Sequence, residues 1–231
     1  MEKKLGDNEE INNKKKFKIE YILHILISSF LSIICIWDRI VNIPKFPKNF
    51  LFLTQIDLYI NMLYYFICLY YNITKKTEIK GKYQLFFNFN FCVSFVVFIM
   101  YWSMFIFARE TLYKKDTKFI APFSLNILLH GGVFIINILE IILTRKIAKN
   151  SYIKIWLFLF FTIVYVGILY LAKLLFNIKV YPFIYGSIFK FIIIIASSFI
   201  VCLIGNFIYN LIMKMKKSKS KEKDFEELEM N

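Results

Sequence analysis

Residues 121–143 read APFSLNILLHGGVFIINILEIIL. A run of this length and character meets the requirement for a bilayer-spanning helix, about 20 mainly apolar residues. Among its Leu, Ile, Val and Phe it nevertheless carries Asn126, His130, Gly131, Gly132, Asn137 and Glu140. An ionisable group at the centre of a span costs about 2.5–3.5 kcal/mol on insertion scales and therefore asks for a reason. The stretch sets two questions together: whether the chain is a membrane protein, and what a histidine does inside it.

Five other runs of similar quality surround this one, at about 19–37, 51–71, 85–107, 155–176 and 187–213. The chain has 231 residues, 58% of them hydrophobic, with 27 Phe and 15 Tyr against only 7 Gly. A soluble domain of this size has no place to put so much apolar surface. The expectation is an all-α polytopic membrane protein of six transmembrane helices, because a lipid-exposed backbone must satisfy its own hydrogen bonds. The formal charge of +14 on a soluble chain would suggest a nucleic-acid partner. Here the charge lies outside the apolar runs, and topology explains it better. Cys35, Cys68, Cys92 and Cys202 all fall inside apolar runs without a CxxC or Cys/His spacing, so they read as small buried hydrophobes rather than disulfides or zinc ligands.

Twenty of the 30 Lys and Arg residues fall on the side that holds both termini and the second and fourth loops, and 8 on the other. The bias places both termini in the cytosol. The organisation expected is a polar cytosolic segment over 1–18, a membrane domain over 19–213 and a charged cytosolic tail over 214–231, read as solvated and disordered. The first run reads as an uncleaved signal anchor, with the endoplasmic reticulum or another endomembrane as the default address. Asn72-Ile73-Thr74 is a glycosylation sequon in a loop assigned to the cytosol, so modification there would reverse the orientation.

Most polar groups in the runs have a bland reading. His24 and Glu20 lie near the cytosolic start of the first run, where snorkelling to the interface is the simpler account. Glu140 reads as an interfacial partner of Arg145, and Lys173 and Lys190 as snorkelling cations near the outer face. Thr54, Gln55, Asp57 and Asn61 are different, clustered at the outer start of the second run, with Thr54, Asp57 and Asn61 spaced to share a helix face. Asn126 and His130, four apart in the fourth run, lie at a similar depth. A threonine hydroxyl needs an adjacent base to become a nucleophile, and histidine is the usual one. Asn126 is placed to hold the imidazole in one tautomer, and Gly131 and Gly132 to admit a neighbour closely. From spacing alone two other readings stay open: a Thr bonded to its own helix backbone, and a His used for packing or for haem.

At these residues the sequence resembles the androgen-induced and androgen-dependent multi-pass membrane proteins. Four blocks carry the resemblance, in order: FLFLTQIDLYIN at 50–61, ARETLYKK at 108–115, APFSLNILLHGG at 121–132 and KVYPFIYG at 179–186. Thr54 takes the position of the family's proposed nucleophile and His130 that of its catalytic histidine. Arg109, Glu110 and Tyr113, then Pro122, Leu125 and Asn126, then Val180, Tyr181, Pro182 and Phe183 match the remaining blocks. The departures are Ile127 in place of the family's first His, Gly131 in place of a Thr, Asp57 where an amide is expected, and no paired His near Lys173 and Leu174.

The resemblance implies a threonine hydrolase of fatty acid esters of hydroxy fatty acids, with Thr54 attacking the ester and His130 taking its proton. Asn126, Gln55 and Tyr181 are the expected oxyanion donors. Arg109, Lys173 and Lys190, near the outer mouth, are the expected partners of a substrate carboxylate. The partner is a membrane-embedded lipid; neither metal nor cofactor is implied. The alternative is a non-catalytic six-helix protein, a lipid-binding scaffold or small transporter. The absence of a repeat or a Gly/Pro-broken run counts against the transporter. A haem between His24 and His130 is disfavoured, since the two belong at opposite ends of their helices.

Overall fold

The structure, a computed structural model, describes residues 2–42, 48–74, 82–107, 122–143, 153–181 and 188–229. Among these it is all helix: α1 (Glu2–Asn42), α2 (Leu53–Ile73), α3 (Lys82–Phe107), α4 (Phe123–Leu143), α5 (Ile153–Phe176) and α6 (Ile188–Glu229). A single 3₁₀ turn, Lys48–Leu51, precedes α2. Five of the six helices are long and apolar enough to cross a membrane, and the protein is an integral multi-pass membrane protein. The exception is α2, whose hydropathy is lowered by the polar residues that it turns inward: Gln55, Asp57, Asn61 and Asn72 are all buried.

Helix α3 is central, in contact with α2, α4, α5 and α6, while α1 packs on α2 and touches α4. The main core joins Leu31 and Ile34 of α1, Leu58 and Tyr65 of α2, Phe91 and Phe95 of α3, and Leu125 and Val133 of α4. The outward faces are apolar as well: Ile33, Phe66, Trp156, Phe160 and Phe207 are exposed, as lipid-facing residues should be. At the α3–α6 contact, Gly205 permits a close approach: a Cβ there would stand 2.6 Å from the Phe95 ring.

Two expectations about element limits change. The polar segments at both ends are helical continuations of the first and last helices, α1 beginning at Glu2 and α6 running to Glu229, so the tail expected to be disordered is helix. The tail's Lys, Glu and Leu are good helix formers that extend a helix already nucleated in the membrane. The fourth helix is also not regular: residues Leu128–Gly132, LLHGG, form a π turn between α-helical Phe123–Ile127 and Val133–Leu143. A widened turn shifts the face on which later residues emerge, and such turns recur at functional sites. Here it falls on His130.

Candidate active site

Thr54 lies in the first turn of α2 and His130 in the π turn of α4. The Thr54 Oγ1 is 3.2 Å from His130 Nδ1, so a hydroxyl proton directed at a lone pair on Nδ1 makes a hydrogen bond. The imidazole is held flat against Tyr101 of α3, with ring centroids 3.5 Å apart and planes 3° from parallel. Both Thr54 and His130 are half-buried. Ile127, which stands at the family's first-His position, is 39% exposed and takes no part in this contact.

The start of α2 is fixed from two sides. Its Leu53 N–H, one of the unpaired donors of a helix N-terminus, donates to the Tyr181 hydroxyl at 3.0 Å. The Tyr165 and Tyr181 hydroxyls are 3.3 Å apart, and Tyr165 donates to the Leu51 carbonyl at 2.9 Å. Tyr181 also packs edge-on against Phe52. Tyr181 therefore anchors the turn that carries Thr54, and its oxygen accepts a backbone proton there rather than pointing a free donor at a substrate.

Gln55 is likewise engaged. Its side-chain carbonyl accepts from Arg39 Nη2 at the end of α1. Arg39 is ion-paired with Asp38 at 3.1 Å and lies over the Phe50 ring at 4.0 Å and the Tyr59 ring at 5.5 Å. Of the three cations expected at the mouth, Arg109 and the side chain of Lys190 lie outside the described residues. Lys173 is half-exposed, with its Nζ 5.6 Å from the Tyr170 ring. Arg39 is the described cation tied to the residue beside Thr54. Sequence reasoning passed over it; the signal was the Asp38-Arg39 pair closing the first apolar run.

Asp57 and Asn61 do share a side of α2, but they serve a different network from Thr54. Asp57 Oδ1 accepts from Ser94 Oγ at 2.7 Å and from Asn61 Nδ2 at 2.9 Å. Asn61 Oδ1 accepts from Asn90 and Asn137, both at 2.8 Å, and Asn137 also donates to Ser94 Oγ at 2.9 Å. Tyr65 donates to Asn137 Oδ1 at 3.2 Å. Every member is buried. This is polar glue between α2, α3 and α4, the usual interhelical use of Asn and Ser in a membrane. Asn126 is half-buried in the turn before the π segment.

Trp102, beside Tyr101, was also missed. Its indole Nε1 is buried and has no hydrogen-bond partner among the described residues. It lies 3.8 Å from the place a Cβ would occupy on Gly131, next to His130. In a chain with 19% aromatic residues, nothing in the sequence distinguishes Tyr101 or Trp102 from the other rings.

At the opposite end of the bundle two expectations are overturned. His24 does not snorkel. It is fully buried, with Nε2 3.3 and 3.2 Å from the two oxygens of Glu140 and Nδ1 2.6 Å from the Asn72 amide. Seven residues into the span that begins at Phe17, it is about 10 Å from that end, too deep for an imidazole to reach water. Glu140 is 1% exposed and pairs with His24, because it shares the inward face of α4 with Val133, Ile136 and Asn137. Arg145, the partner expected for it, lies outside the described residues. Asn72, the sequon asparagine, is 6% exposed in the last turns of α2, so it is shielded from modification in the folded protein, whatever the orientation.

An all-helical, multi-pass membrane protein with a Thr–His pair at one end of its bundle is the class these features define. The model of the FAR-17a/AIG1-like protein family matches residues 19–217, and the chain belongs to that family. No curated protein and no solved structure matches it.

Proposed function

We propose that the protein is an intramembrane threonine hydrolase that cleaves lipid esters, of the kind formed between a fatty acid and a hydroxy fatty acid. The observation that carries this reading is the 3.2 Å contact between Thr54 Oγ1 and His130 Nδ1, braced by the parallel stack on Tyr101. Two residues 76 apart in sequence meet there with the atoms and separation that a nucleophile and its base require. Thr54 Oγ attacks the ester carbonyl as its proton passes to Nδ1. The tetrahedral intermediate expels the alcohol, which takes that proton from His130. A water that gives its proton to the same nitrogen then cleaves the acyl-threonine, returning the hydroxyl and releasing the acid. The Trp102 indole N–H, buried beside Gly131 and His130 and unpaired among the described residues, is the best-supported oxyanion donor; the Gln55 amide N–H is the second, since Arg39 takes only its carbonyl. Arg39, beside Gln55 and bedded on Phe50, is the cation nearest to hand for a substrate carboxylate, which would share it with Asp38.

In this reading α2 is a sixth span. Its 21 residues extend about 31 Å, its polar groups face protein, and Leu63, Phe66, Tyr70 and Ile73 face outward. Six spans, with the Lys and Arg bias, put both termini in the cytosol and the Thr–His pair toward the lumenal leaflet of the endoplasmic reticulum or another endomembrane. Labelling with a fluorophosphonate probe tests the chemistry, comparing wild type with Thr54→Ala and His130→Ala. Labelling lost in both variants supports it, and labelling that persists in Thr54→Ala refutes the nucleophile. Absence of labelling and of ester turnover in folded wild type returns the protein to a non-catalytic lipid-binding scaffold.

A further inference from the structure

We propose that His24, Cys68 and Glu140 form a binding site for a divalent transition-metal ion, zinc by its donor set, that clamps α1, α2 and α4 at the end of the bundle away from Thr54. One ligand atom of each residue lies within 4.8 Å of the other two, and the three residues are 0%, 1% and 1% exposed. Zinc bonds of about 2.0–2.3 Å set tetrahedral donors roughly 3.3–3.7 Å apart. His24 Nε2 and the Glu140 oxygens, at 3.2–3.3 Å, already have nearly that spacing. Closing Cys68 onto the ion takes about 1 Å of movement, within reach of a small adjustment of its single side-chain torsion.

Charge makes the same case. These groups lie within membrane spans, where an uncompensated ion is costly. A carboxylate, a thiolate and a neutral imidazole sum to the charge that one divalent cation cancels. The imidazole's other nitrogen is held as it is in metal sites, where the distal ring N–H is fixed by an outer partner. The separation of 2.6 Å between His24 Nδ1 and the Asn72 amide suits an N–H donating to an amide oxygen better than two nitrogens in contact. That tautomer leaves Nε2 facing the Glu140 carboxylate, where either a proton or a bound cation joins the two. The Tyr64 hydroxyl, 3.4 Å from Glu140 Oε1, holds the carboxylate from the other side, and it or a water completes four-coordination. The ligands come from three helices, so no sequence spacing announces them.

Glu140 follows His130 by ten residues on α4, about 15 Å along the helix, so the ion takes no part in chemistry at Thr54. It fixes the relative height of α2 and α4, the helices that carry Thr54 and His130. The test uses the full chain purified in detergent through a tag without histidines, and it reads metal rather than ester turnover, so its failure is separate from that of the hydrolase reading. Plasma mass spectrometry is expected to find about one zinc per chain, falling about tenfold or more in Cys68→Ala, which leaves the His24–Glu140 pair and the fold in place. Cobalt exchanged into the wild type is expected to give tetrahedral visible bands with thiolate charge transfer, and Cys68→Ala to lose the charge-transfer band. Monodisperse wild type that holds neither metal overturns the proposal and leaves a His–Glu ion pair. A cobalt spectrum unchanged by Cys68→Ala also overturns it, because the ion then lies elsewhere.

Discussion

Replacing Ser94 by Ala removes one oxygen from the middle of the α2–α3–α4 network. That oxygen donates to Asp57 at 2.7 Å and accepts from Asn61 at 3.0 Å and Asn137 at 2.9 Å. None of the three partners is stripped bare: Asp57 keeps Asn61, Asn61 keeps Asp57, and Asn137 keeps Asn61. The loss is therefore three net hydrogen bonds without a full desolvation penalty. Side-chain hydrogen bonds between membrane helices average about 0.6 kcal/mol each, and one to a carboxyl group can reach about 1.5–3 kcal/mol. Together they give a destabilisation of about 3 kcal/mol, or a melting temperature lower by roughly 6–12 °C for a chain of this size. The assay is thermal unfolding of the detergent-purified protein, followed by the exposure of buried cysteine to a thiol-reactive dye. Ser197→Ala is the control: among the described residues Ser197 donates to the carbonyl of Ile194 in its own helix, and its loss is expected to change stability by less than about 0.5 kcal/mol. Equal melting temperatures for Ser94→Ala and Ser197→Ala would refute the network as interhelical glue.

Three further outcomes are expected. If Thr54 and His130 act as a unit, Thr54→Ala and His130→Ala each lower ester turnover by about 10²–10⁴-fold, and the double variant is no worse than the more damaged single; additive losses in kcat would separate their roles. Trp102→Phe keeps the aromatic packing against Tyr101 and Phe105 and removes only the N–H, so kcat is expected to fall about 10²-fold or more, with KM and melting temperature nearly unchanged; a change confined to stability would make it a packing residue. Gly205→Ala forces a methyl to 2.6 Å from the Phe95 ring and is expected to destabilise by about 1–3 kcal/mol, whereas Gly167→Ala, inside α5 with nothing within 4 Å, is expected to stabilise by up to about 1 kcal/mol through helix propensity.

The membrane fold was legible because it depends on length and hydropathy, and both are local. The apolar runs at 85–107 and 155–176 coincide with the spanning parts of α3 and α5. The second helix shows the limit: Asp57 and Asn61 lower its hydropathy, and only packing reveals that they face Ser94 and Asn137 instead of lipid. Depth was legible as well, since Thr54 and His130 both lie toward the starts of runs that cross in the same sense. Which residues touch at that depth was not. Helix rotation decides contacts, and the π turn over Leu128–Gly132 resets it at His130.

The sequence by itself determined a helical membrane protein, because hydrocarbon leaves a chain this apolar no other way to pair its backbone. It also confined the few polar side chains to particular heights in the bilayer. Tertiary structure decided which of them meet. It brought Thr54 to His130, turned Gln55 to Arg39 and Tyr181 to a helix end, and drew His24 and Glu140 away from the interface into a pair of their own. The physical reason is that height along a helix is set by residue number, whereas the direction a side chain takes around it is set by what the neighbouring helices present.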